Sequence, residues 1–175
     1  MAVHAGRWSL AVWVVAATAL AGCAGSRIEH GIYYSPKGYR ITIPGADWSI
    51  VEGSRADLEL RHERAPVGML VNAACETEAS RRSLGVLARQ LLVGLRDRVM
   101  LEQGEMSLNG RRAQHVLLDA RTSDSGKPMR IESYVMKDER CVYDLLYVVP
   151  AASFELWRRD FHRFVETFEL SEKSK

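Results

Sequence analysis

The sequence predicts an α+β domain, a mostly antiparallel sheet with two helices packed on it. Three observations predict it. Short runs of alternating apolar and polar residues recur along most of the chain after residue 38. Turn dipeptides such as Pro44-Gly45 and Asn109-Gly110 separate those runs at hairpin spacing. Only two stretches, one mid-chain and one near the end, carry the period of about 3.6 residues that marks an amphipathic helix.

Taken in order, the elements begin with Tyr39, Ile41 and Ile43 alternating with Arg40 and Thr42. Pro44-Gly45 turns the chain before Trp48 and Ile50, and Leu58 and Leu60 then alternate with Glu59 and Arg61. Val67 to Cys75 reads as a strand with Met69, Val71, Ala73 and Cys75 on one side. Ser80 or Ser83 starts a helix whose apolar positions are Leu84, Leu87, Ala88, Leu91, Leu95 and Val99, with Gly94 placed for close packing. A meander follows. Glu105–Leu108 and Ala113–Ala120 flank Asn109-Gly110, Met129–Met136 runs back, and Cys141–Val149 closes it. Pro150 opens the last helix, striped by Phe154, Trp157, Phe161, Phe164, Val165 and Phe168.

The chain has 175 residues, 24 Lys and Arg against 22 Asp and Glu, and a formal charge of +2. That length suits one domain. The near balance gives no whole-chain field for nucleic acid, so no nucleic-acid partner is expected.

The first residues carry an address. Arg7 precedes thirteen residues, Trp8 to Leu20, in which only Ser9 and Thr18 are polar. This is shorter than the ~20 residues of a spanning helix and fits the apolar region of a secretory signal. Leu20-Ala21-Gly22-Cys23 follows, and it resembles the lipobox of bacterial lipoproteins. The resemblance implies cleavage between Gly22 and Cys23, diacylglycerol on Cys23 and acylation of the new amino terminus. By the same resemblance, Ala24 in place of Asp implies the outer membrane, facing the periplasm. Residues 1–22 are then signal, 23–37 an anchor and tether in which Tyr33-Tyr34 begins a strand or lies on the domain surface, 38–171 the domain, and 172–175 a polar tail. The expected partners are a membrane, through lipidated Cys23, and an envelope protein.

Tyr39-Arg40-Ile41-Thr42-Ile43-Pro44 followed by Trp48, the helix before a strand meander, and the aromatic closing helix through Phe161–Phe168 together resemble the PsbP-like fold, which includes the DcrB-like bacterial lipoproteins. The resemblance runs from Gly38 to Leu170. It implies an α/β/α arrangement, the sheet between helices, and an accessory, assembly or binding role rather than an enzyme. It transfers no functional residue.

Cys75 and Cys141 remain once Cys23 is acylated. Each lies at a strand end, so antiparallel neighbours bring them within disulfide reach; the alternative is two buried thiols. The five histidines include no i, i+4 pair, and neither H-E-x-x-H nor G-x-S-x-G occurs. No catalytic residue, metal or cofactor is expected. Asp144 interrupts an apolar strand on the side of Val142, Leu146 and Val148; it marks a pocket, pairs with a neighbouring arginine such as Arg130, or lies at an edge beyond helix cover. Arg82, Arg89 and Arg96 recur every seven residues along the mid-chain helix, as a basic ridge for a partner or membrane or as a solvated face. The polar side of the last helix, with Arg158 and His162, reads as solvated.

The expected function is a lipid-anchored envelope accessory, assembly or binding protein without catalysis. The alternatives are a small-ligand carrier, its pocket between sheet and helix and lined by apolar groups with Asp144 or Asn72, and, ranked last, an envelope hydrolase.

Overall fold

Alternation at Tyr39-Arg40-Ile41 sorts the side chains as a half-buried strand requires: Tyr39 and Ile41 are buried and Arg40 is exposed. The structure, a computed structural model, describes residues 25–75, 78–122 and 126–171. The expected signal, Cys23 and the tail 172–175 lie outside the described residues.

The described elements run in this order. Strands β1 (Arg27–Glu29), β2 (Ile32–Ser35), β3 (Tyr39–Thr42), β4 (Trp48–Ile50), β5 (Leu58–His62) and β6 (Gly68–Cys75) come first. A 3-10 turn at Glu78–Arg81 leads to α1 (Leu84–Leu91). The meander is β7 (Arg96–Leu108), β8 (Arg111–Arg121), β9 (Pro128–Lys137) and β10 (Cys141–Val149). A second 3-10 turn, α2 (Phe154–Glu166) and β11 (Glu169–Leu170) close the chain.

Two antiparallel sheets result. One has the order β1-β2-β3-β11, and the larger one β4-β5-β6-β10-β9-β8-β7. Alternate residues of β10 enter two separate cores. Tyr143, Leu145, Tyr147 and Val149 join the core of α2 and the small sheet, with Tyr39, Phe161, Phe164 and Phe168. Val142 and Val148 join the core of α1, with Leu84, Leu87, Leu118 and Val135. The helices therefore lie on opposite faces of the large sheet.

Two expectations change. The segment 23–37, read as a tether, contains β1 and β2, joined by a two-residue turn at His30 (φ 51°) and Gly31 (φ 75°). Positive φ at both positions matches the right-handed twist of a hairpin. The small sheet thus begins at Arg27 rather than at Gly38, and three residues separate it from Cys23, at most about 14 Å of chain from Cα to Cα. The mid-chain helix, read as running to Val99, ends at Leu91. Gly94 sits at φ 91°, a conformation that stops a helix, and the chain leaves it as β7. Gly94 is a terminator, with nothing within 4 Å of where its Cβ would be, and not a packing contact.

Asp57 ties the two sheets. Its carboxylate accepts from the Tyr39 hydroxyl and the Ala73 backbone N–H, each at 2.9 Å, and pairs with Lys37. Its carbonyl accepts from the Tyr33 hydroxyl.

Candidate functional site

The centre of the large sheet is β6 against β10, and its register decides which side chains meet. Cys141 lies opposite Cys75, Asp144 opposite Asn72, and Leu146 opposite Leu70. The first pair is bonded, with S–S 2.03 Å and Cα–Cα 4.0 Å.

Asp144, Leu146 and Val148 share the face that carries α1. The helix, eight residues long, rests chiefly on β8 and β9. Leu70, Asn72, Asp144, Leu146 and Val148 are left half-buried. An open groove of about 510 Å³ runs over this ground, lined by Leu70, Leu146, Val148, Met129, Pro66 and His62 among others. Asp144 stands one same-face step beyond Leu146. It makes no hydrogen bond or ion pair with the described residues, and desolvation alone pushes its carboxyl up to about 6.

The expected partner of Asp144 is a correction. Arg130 lies opposite Val149, and so on the other face from Asp144. It forms a two-pronged pair with Asp119 directly across from it on β8, Nε–Oδ1 2.7 Å and Nη2–Oδ2 2.8 Å. The pair holds the Asp119 carboxyl below its usual range, chiefly by hydrogen bonding.

The basic ridge is corrected too. Only Arg89 is helical; Arg82 precedes α1 and Arg96 opens β7, so the seven-residue spacing no longer places them in one row. The helix stops before the repeat completes.

One constellation was missed. Glu132 on β9 is 0 % exposed and faces α2. Its Oε1 takes His115 Nε2 at 3.0 Å, the Tyr134 hydroxyl at 3.2 Å, Arg158 Nη2 at 3.2 Å and His162 Nε2 at 3.3 Å. Its Oε2 takes Arg158 Nε at 3.1 Å. Burial pushes this carboxyl up, but the hydrogen bonds from His115, His162 and Arg158 together outweigh it and hold the group well below the usual carboxylate range. Burial and the Glu132 charge push Tyr134 up instead. Arg158 also lies over the Phe154 ring at 4.9 Å. The signal was present: Glu132 sits on the register of Tyr134 and Met136, and Arg158 and His162 are four apart on α2, so that side of the helix is not wholly solvated. With both oxygens of Glu132 taken by donors from β8, β9 and α2, the cluster is a structural knot that clamps α2 to the sheet.

A surface cleft of about 680 Å³ is lined by Arg27, Arg40 and Arg111 among others. Arg40 bonds Glu169, while Arg27 bonds Glu29 and lies 4.4 Å from the Tyr34 ring centre. Its charge is largely met from within. No group of three His, Cys, Asp or Glu among the described residues is placed to hold a metal, and none of the described helices is long and apolar enough to cross a membrane.

No protein-family model matches the chain, and no curated protein is similar to it in sequence. Solved structures are similar in fold. CyanoP, the cyanobacterial PsbP of Synechocystis sp. PCC 6803, superposes with a TM-score of 0.58 at 13% identity, over 79% of this chain and 91% of that one. LpqN of Mycobacterium tuberculosis, a protein involved in cell envelope biogenesis, gives 0.60 at 16%, over 82% and 88%. A Bacteroides thetaiotaomicron protein gives 0.61 at 8%, over 83% and 50%. The chain has the PsbP-like α+β fold.

Proposed function

We propose that this chain is a lipid-anchored accessory protein of the bacterial envelope that works by binding a partner, without catalysis. The observation that carries the reading is the half-bare sheet face around Asp144. A sheet face is normally buried by a second layer, and here α1 supplies that layer chiefly over β8 and β9. An apolar groove on the same sheet face as a carboxylate without a partner among the described residues is a surface suited to being covered. The buried Glu132 carboxylate is itself saturated by His115, Tyr134, Arg158 and His162, which suits a structural role.

The envelope setting rests on the signal and Leu20-Ala21-Gly22-Cys23, and LpqN lends support as a protein of the same fold involved in cell envelope biogenesis. With Cys23 acylated and the membrane the outer one, the domain would stand close to the lipid on the periplasmic side. Photocrosslinking from Leu146 in living cells tests the reading: a protein adduct forms at Leu146 and not from Glu169, on the small sheet.

A carrier role is the second reading, favoured by the groove of about 510 Å³ beside Asp144. It places a ligand on the α1 side of the sheet, because Tyr147, Phe154, Phe161 and Phe164 fill the α2 side. Native mass spectrometry of the purified chain would then show a bound small molecule.

A further inference from the structure

The bare half of the α1 face has a defined chemistry. Leu70, Leu146 and Val148 supply apolar surface, Asn72 faces Asp144 across the strand pair, and Asp144 has no partner among the described residues. On β5, Glu59 and Arg61 bond each other, so their charges cancel locally. On β9, Lys137 lies opposite Val142, two residues from Asp144, yet its ammonium is spent on the carbonyls of Ser80 and Arg82. The face therefore carries one uncompensated negative charge in apolar ground.

That charge sorts the possible occupants. A purely apolar cover would seal the carboxylate away from water without a partner, which is costly. A second copy using the same face would bring two Asp144 side chains together, and anionic headgroups would be repelled. A cover that brings its own cation satisfies Asp144 and buries Leu70, Leu146 and Val148 at once. Geometry fixes its form. Extended peptides add to sheet edges, whereas a sheet face takes a helix, and α1 already shows how a helix sits on the neighbouring strands.

We infer that this face takes an amphipathic helix of an envelope protein that presents a lysine or arginine from its apolar side to Asp144. The inference rests on the binding role proposed above and names the partner's chemistry.

The test uses the full-length chain in its own cells, with benzoylphenylalanine at position 146 and, as a control, at position 169. Sequencing of the crosslinked peptide is expected to return a segment with apolar residues at i, i+3, i+4 and i+7 and a lysine or arginine among them. Asp144→Asn, checked by thermal melting to be folded, should lower adduct yield at least about fivefold. Asp144→Leu, which keeps the face apolar, should do the same. Replacing the captured basic residue by Glu should abolish capture, and Asp144→Lys should restore it. Absence of any adduct at position 146 overturns the binding face itself and the function proposed from it. A protein adduct whose yield is unchanged in Asp144→Asn, or whose segment lacks a basic residue, overturns the lysine or arginine assignment alone. A lipid or small-molecule adduct overturns the helix and favours the carrier.

Discussion

Arg158 reaches from the last helix to Glu132, its Nε 3.1 Å from Oε2 and its Nη2 3.2 Å from Oε1, and the carboxylate it meets is wholly buried. Breaking such a pair strands a charge. Glu132→Gln should cost about 3 kcal/mol of stability, read as a lower urea midpoint at an unchanged slope. The acid side follows from the same bonds. Glu132 is held below its usual pKa of 4.5 in the fold, so its contribution is present above that value and fades as pH falls beneath it. A wild-type chain that loses stability no faster than Glu132→Gln below pH 4.5 would contradict this.

Asp144 has the opposite sign. It keeps its proton up to about 6 in the fold, against an ordinary value of 3.8. Between those values the folded chain binds more protons than the unfolded one, so stability falls as pH rises from about 4 through 6 and then levels off. Asp144→Leu should be more stable than wild type at pH 7, by on the order of 2 kcal/mol, and should lack that slope. Equal stability at pH 7 in guanidinium titrations would show that the carboxylate is not strained by burial.

The Cys75–Cys141 bond closes a loop of 66 residues across the central strand pair. In the chain-entropy model it contributes about 4 kcal/mol. Reducing the chain, or replacing both cysteines by Ser, should lower the melting temperature markedly. Peptide mapping of unreduced protein should recover the two cysteines in one linked fragment.

Gly94 at φ 91° ends α1. Gly94→Ala should destabilise by roughly 1 kcal/mol, the order of cost for a side chain in the left-handed region. Thermal melting of the variant is the check, and an unchanged midpoint would argue against a strict glycine position.

Cys23→Ala should abolish incorporation of labelled fatty acid and leave the signal uncleaved. Retained label would remove the anchor from the account.

Much of the fold was legible because its signals are local. The alternation in β3, β5 and β6, the Asn109-Gly110 hairpin and the aromatic stripe of α2 each state their element within a few residues. The cystine was legible because strand ends can be counted. The short pieces were not: β1 has three exposed residues and β11 only two, and each is defined by the strand beside it. The end of α1 was misread because Leu95 and Val99 continue the helical period, while the glycine that overrides them acts through a dihedral angle.

At the site, Asp144 was visible as a break in an apolar strand. Its isolation was not, because parity across β9 sends Arg130 to the other face. The Glu132 cluster draws on β8, β9 and α2, residues as far apart as His115 and His162. No spacing rule in one dimension joins them.

The long strand β7 has a consequence of its own. It is the outermost strand of the large sheet, thirteen residues with Val99, Met100, Leu101 and Met106 all more than 40 % exposed. A straight ribbon of that kind is an invitation to fibril growth. Two shifts in register, between Arg96 and Val99 and between Met100 and Glu102, together with Asp97 at φ 49°, crumple the rim where it is greasiest. Deleting one residue to iron out a shift should turn a well-behaved chain into one that clumps on standing.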